Sequence, residues 1–387
     1  MTDRQWSRRR FLGVAGVLGT AGVAGCSGDG GDTATPTASP TTTTAGDTAT
    51  DTGAPTATTS TGTTDTRTAT PTVTDTASPT ATDTRTPTPV PTISPGSEWR
   101  EGPAMPTART EVRAVVAGGE LYVIGGLTPD GTTGEVAVYS PAEDTWRTVQ
   151  PIPEPRHHIA AAVVDDRIHV IGGFESGFSS TSEVWAYDRD ADSWTARQSL
   201  PEPLGAMTAE TIDGRIYVAG GVAGDGSVVA DCYRYDPGSD AWTDLSPMST
   251  RREHLGSGAV EGRLFVVGGR QGGIGNNLPA NEMYDPATGE WSELPDMPTA
   301  RGGIDATAVG DRVFAVGGEQ QSGTYEEVEA YDVRGGQWIT MPALPTPRHG
   351  LGVATIDGKL YVASGGPQPG ATYSDALEIL LPAGSGM

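Results

Sequence analysis

From about residue 110 to the C terminus, short apolar runs alternate with glycine- and aspartate-rich breaks. The runs Leu121 to Ile124, Ile168 to Ile171, Ile216 to Ala219, Leu264 to Val267 and Val313 to Val316 are each β-rich and each close on glycine. Runs this short, bounded by turn residues, predict strands. The first 95 residues follow another pattern. Phe11 to Gly25 is weakly apolar, and Asp32 to Pro95 holds Thr, Ala, Pro, Ser and Asp with no aromatic residue. No stretch after the first 25 residues favours a helix.

The strands belong to a repeat. A Gly-Gly pair begins at Gly125, Gly172, Gly220, Gly268 and Gly317, with Ser364-Gly365 as a sixth copy. Trp99, Trp146, Trp194, Trp242, Trp291 and Trp338 each precede the next pair by 26 residues. Tyr139, Tyr187, Tyr235, Tyr284 and Tyr331 each stand seven residues before a tryptophan, while the distance from pair to tyrosine varies from 14 to 16. Length variation therefore sits in one loop per repeat.

Strand, Gly-Gly, loop, tyrosine-bearing turn, tryptophan, then proline and arginine: this order resembles the kelch repeat, each copy of which implies one four-stranded blade of a β-propeller. The expected fold is all-β, a six-bladed kelch-type propeller over residues 96–387. One blade cannot bury both faces alone, so neighbours must stack into a closed ring. Trp99 has no blade before it, and the chain ends just after the run Ala376 to Leu381, so the segment around Trp99 is expected to supply the last blade's outer strand.

Charge narrows the partners. The chain carries −24 formally, with Lys359 its only lysine; 41 acids against 19 bases fall after residue 96. This excess excludes nucleic acid, which needs a basic face, and fits a protein kept soluble in strong salt, as in a halophile. The two cysteines, Cys26 and Cys232, offer no disulfide framework.

Residues 1–25 resemble a twin-arginine export signal, with Arg8 and Arg9 before a 15-residue apolar stretch too short to span a bilayer. Val23, Ala24, Gly25 and Cys26 resemble a lipobox, which implies a lipid on Cys26. Residues 26–95 then read as a disordered Thr/Ala/Pro linker of the kind found in O-glycosylated stalks. An exported monomer is expected, anchored by lipid on the outer face of the cytoplasmic membrane.

Candidate ligand residues cluster in the connections between blades. Arg109, Arg156, Arg252, Arg301 and Arg348 each stand sixteen residues before a glycine pair, with Leu204 breaking the set, and His157, His158, His254 and His349 accompany them along with Glu111 and Glu253. Alternating strand directions put these connections and the variable loops on one face. Either each arginine braces its own connection through carbonyls, or the set forms a basic mouth for carboxylate or sulfate groups. In some kelch domains arginines so placed engage acidic ligands, which turns the expectation to an anionic glycan or an acidic envelope protein. Arg113, Glu210 and Asp305 interrupt the small-residue inner strands, as a satisfied network or as channel-lining ligand groups.

A binding module is favoured over an enzyme. Among kelch-type enzymes, a sialate-epimerase-like activity has acid and base groups available in Glu111, Glu210, Glu253 and the histidines. A copper radical oxidase needs a cysteine at the channel mouth, whereas Cys232 falls in a strand. The histidines are spread over blades with no matching carboxylate spacing, so no metal and no cofactor is expected.

Overall fold

A computed structural model describes residues 92–384. Arg8, Arg9, Cys26 and the linker up to residue 91 lie outside the described residues. No helix is present among those described.

Six four-stranded antiparallel sheets follow in sequence order, each with strands a to d from the axis outward. Blade 1 comprises Arg113–Ala117, Glu120–Ile124, Val136–Ser140 and Thr145–Val149. Blades 2 to 5 begin at Ala160–Val164, Thr208–Ile212, Gly256–Val260 and Asp305–Val309 and repeat the order. Blade 6 comprises Gly352–Ile356, Lys359–Ala363 and Leu377–Leu381, completed by Glu98–Glu101 from the other end of the domain. The register sets Trp99 opposite Leu380 and Glu98 opposite Leu381, so the expected closure is present. Packed chain reaches further back than residue 96, because Ile93 is buried with Phe314, Leu344 and Leu380.

Three sets of repeated contacts explain the invariant spacings. On the outside, each tryptophan indole donates to a carbonyl of the preceding blade, as in Trp146 to Pro103 at 2.8 Å, Trp291 to Ser246 at 2.8 Å and, across the closure, Trp99 to Pro342 at 3.1 Å. Nearer the axis, the second glycine of each pair donates to the carbonyl at the arginine position of the following blade. Gly126 bonds Arg156, Gly173 bonds Leu204, and Gly365 returns to Arg109 at 3.0 Å, closing the ring. The first glycine must be glycine: at Gly125, φ is 63° and a Cβ would lie 2.5 Å from the Arg156 carbonyl. In blade 6 Ser364 holds φ 65° instead, and its hydroxyl donates to the Arg109 carbonyl at 2.7 Å.

The third set surrounds the axis. Two residues after each arginine position stand Glu111, His158, Ala206, His254, Gly303 and Gly350, all left-handed with φ between 52° and 69°. His158 N–H donates to the Glu111 carbonyl, Ala206 to His158, His254 to Ala206, Gly303 to His254 and Gly350 to Gly303, at 2.9–3.0 Å; Val112 N–H completes the circuit on Gly350 at 3.3 Å. A belt of backbone hydrogen bonds thus runs once around the propeller.

Candidate functional site

The five arginines are buried at 0–1% exposure and turned inward. Arg348 donates through Nε to Ser364 O at 2.7 Å, through Nη2 to Val362 O at 3.0 Å, and through Nη1 to Thr346 O at 3.0 Å and Glu378 Oε2 at 2.5 Å. Arg301 repeats the arrangement on Gly317, Ala315, Thr299 and Glu329. Arg252 pairs with Glu282 at 2.9 Å, Arg156 with Glu183, and Arg109 lies 3.5 Å from Glu135 while donating to the Gly125 and Glu135 carbonyls. The basic mouth expected from the sequence is therefore corrected. Burial removes these guanidinium groups from any docking ligand, and they fasten each blade's entry to its own strands.

Leu204 fits the same scheme. The carboxylate partner stands on strand c, two residues before the tyrosine position, in blades 4 to 6 (Glu282, Glu329, Glu378) and immediately before strand c, four residues before the tyrosine, in blades 1 and 2 (Glu135, Glu183). In blade 3 the residue two before the tyrosine is Tyr233, packed in one apolar cluster with Leu204. An apolar pair replaces an ion pair there.

The histidines do come together. On the belt, His158 Nε2 lies 3.1 Å from Glu111 Oε2, and the His158 and His254 rings meet edge-to-face with centroids 4.6 Å apart. His349 Nδ1 reaches Glu111 Oε1 at 3.2 Å and Glu319 Oε2 at 3.6 Å, and its Nε2 faces the Gln368 and Gly370 carbonyls at 3.1 and 3.0 Å. Nδ1 of His157 abuts Nδ1 of His158, and Nδ1 of His254 abuts Oε2 of Glu253. Arg270 then links Glu253, at 2.9 Å, to Glu319, at 2.6 Å. Glycine at two belt positions leaves the room: a Cβ at Gly350 would lie 2.7 Å from Glu111 Cδ, and one at Gly303 would lie 3.1 Å from Glu319 Cγ.

Sequence reasoning missed Arg270 and Glu319. Each directly follows a glycine pair, where the other blades carry Leu127, Phe174, Val222 and Gly366. Two charges at one repeat position otherwise filled by apolar residues or glycine were the available signal.

Burial decides the ionisation. It pushes His158 down to about 3 against the pull of Glu111, and with Arg270 it holds His254 well below its ordinary value, so both rings are neutral. At His349 burial is outweighed by the hydrogen bond and charge of Glu111 and by Glu319, and its pKa rises. Glu111, despite burial, is held well below the usual carboxylate range by the imidazoles around it.

Below the belt, Arg113 crosses the axis to Asp305, and Glu210 Oε1 stands 3.8 Å from its Nη2. Asp305 also accepts from the amides of Val353 and Ala306 at 2.9 Å, and Glu210 from the Ser257 hydroxyl at 2.9 Å. The network expected from these three residues is present, and it separates a 40 Å³ cavity at the histidines from a 290 Å³ cavity lined mainly by Ala, Val and Thr. Cys232 is buried among Met248, Leu255 and Tyr284, and burial raises its thiol to about 12, far from an activated thiolate.

The interblade connections and the b-to-c loops interlock on one face, where His157 and Phe174 exchange backbone hydrogen bonds at 3.1 and 2.8 Å. Phe178 stands in the same loop at 63% exposure with φ 62°, the one exposed large hydrophobic among the described residues, its ring centroid 4.8 Å from that of His157. The a-to-b ends carry tight turns such as Asp213-Gly214, with φ of 49° and 71°.

Comparison with known proteins agrees with this architecture. The family model described as "KLHDC2/KLHL20/DRC7 Kelch-repeats domain" matches residues 111–297 and 207–381. Kelch-like protein 40 of Mus musculus is 32% identical over 77 residues, 20% of this chain and 12% of that protein. Kelch-like protein terF of Aspergillus terreus is 37% identical over 82 residues, 19% of this chain and 18% of that protein. The matches thus span under a fifth of either relative. The solved structure titled "Structure of YjhT" superposes with a TM-score of 0.65 at 14% identity, covering 73% of this chain and 97% of that one; at that identity the likeness is one of fold.

Proposed function

Because the chain belongs to the kelch-repeat family, whose propellers are protein-interaction modules, we propose that it is a surface-displayed binding protein that docks an envelope protein on its loop face. Export through Arg8 and Arg9, lipid on Cys26 and the linker of residues 26–95 would hold the propeller at the outer side of the cytoplasmic membrane. The observation that carries the docking face is Phe178, held out to solvent on the side where the loops vary in length. A solitary exposed aromatic packed against a neighbouring ring suits an interface anchor. Its full burial is worth about 1.5–3 kcal/mol, or roughly 10- to 150-fold in affinity. An acidic ligand is not proposed: the arginines that would hold it are buried, and a body carrying 41 acids against 19 bases repels one.

The test introduces a photo-crosslinking residue at position 178, or at 213 on the turn face, in cells producing the full chain. One recurring protein adduct from 178 and none from 213 is expected, with the adduct lost when Cys26→Ser releases the chain into the medium. Adducts from 213 alone, or from neither position, would overturn the assignment, and a Cys26→Ser chain that stays with the membrane would remove the anchor.

A further inference from the structure

We propose that Glu111, His158 and His254 form a binding site for a divalent transition-metal ion on the propeller axis, beneath the loop face. The three residues offer donor atoms that all lie within 4.8 Å of one another, although His158 and His254 stand 47 and 143 residues after Glu111 in the chain. A tetrahedral shell of imidazole and carboxylate ligands has donor separations of roughly 3.3 Å, within reach of side-chain rotation alone. Two imidazoles and one carboxylate with an open position suit ions such as Zn²⁺, whereas Ca²⁺ and Mg²⁺ call for all-oxygen sites.

Three further observations support the assignment. All three residues occupy left-handed belt positions, with φ of 54°, 52° and 53°, where blades 5 and 6 use glycine; a bulky side chain there is strained, and such strain collects at functional sites. Their outer atoms face neighbouring polar groups. Glu253 abuts Nδ1 of His254, His157 abuts Nδ1 of His158, and His349 bonds Glu111 Oε1 at 3.2 Å, leaving Nε2 of each belt histidine for an ion. Such outer partners orient metal ligands. Finally, the buried carboxylates of Glu253 and Glu319 share a single arginine, Arg270, and the nearly buried carboxylate of Glu111 faces His158 and His349. Buried negative charge of this kind calls for a compensating cation, and the 40 Å³ cavity lined by Glu111, His158 and His254 has room for one with a water.

The experiment strips the full chain with a chelator and titrates it with Zn²⁺, following heat and bound metal, then repeats the titration with Co²⁺ to read ligand-field absorption. One tightly held Zn²⁺ per chain is expected, with Co²⁺ bands of a four- or five-coordinate nitrogen-oxygen site. His254→Gly removes a ligand at a backbone position glycine adopts freely, so its metal-free melting temperature should hold or rise while Zn²⁺ affinity falls more than about 100-fold. Glu253→Gln, which loses only a positioning group, should weaken binding by about 10- to 100-fold. Equal Zn²⁺ retention by the parent and His254→Gly would mean adventitious binding to the acidic surface and would overturn the site, as would a parent that takes up no Zn²⁺.

Discussion

Replacing Arg348 by leucine separates a brace from a ligand fork, and blade 3 supplies the control. The change deletes the bonds to Ser364, Val362 and Thr346 carbonyls and strips Glu378 of its cation, leaving that carboxylate, 8% exposed, with only the Thr346 hydroxyl at 2.8 Å. Breaking a buried ion pair from one side costs about 3–5 kcal/mol. A domain of roughly 290 residues unfolds with an entropy near 0.6 kcal/mol/K, so the melting temperature should fall by about 5–8 °C. The double change Arg348→Leu with Glu378→Tyr copies the Leu204 and Tyr233 pair of blade 3 and should recover most of the loss, since apolar replacement of both partners is close to neutral. Melting curves by circular dichroism at fixed salt provide the measurement. A single variant within about 2 °C of the parent, or a double variant no better than the single, would refute the bracing argument.

Deleting residues 97–100 removes three of the four residues of the strand that pairs with Glu378–Leu381 and should lower the melting temperature and promote aggregation, because an open edge pairs with other chains. Deleting residues 32–91 should do neither in the same melting and light-scattering assays. Glu210 provides a pH dependence: burial pushes its carboxyl from 4.5 up to about 7, opposed by Arg113 and the Ser257 hydroxyl and reinforced by Asp305. The folded chain therefore holds this proton more tightly than the unfolded one. The stability involved is complete below about pH 4.5 and lost as pH rises through about 7, on the order of 3 kcal/mol. Glu210→Gln, neutral throughout, should flatten the slope of stability between those pH values; an unchanged slope would assign it to another group.

The sequence by itself determined the all-β class, the six blades and the closure by the segment around Trp99. These features rest on contacts repeated at fixed offsets. The indole bonds and the glycine-pair amides recur blade after blade, and the arginine bonds to carbonyls sixteen residues on recur in blades 1, 5 and 6, so they leave a period that can be read directly. Which way each guanidinium points was decided only by the tertiary structure. A repeated arginine looks the same whether it faces solvent or its own strand, and its carboxylate partner shifts between a position on strand c and one just before it. The axial cluster was equally hidden. Glu111, His158, His254 and His349 lie 47 to 238 residues apart, and Arg270 and Glu319 come from loops that align with no charged residue elsewhere. Only ring closure, through one backbone hydrogen bond per blade, carries such distant positions to a single point on the axis.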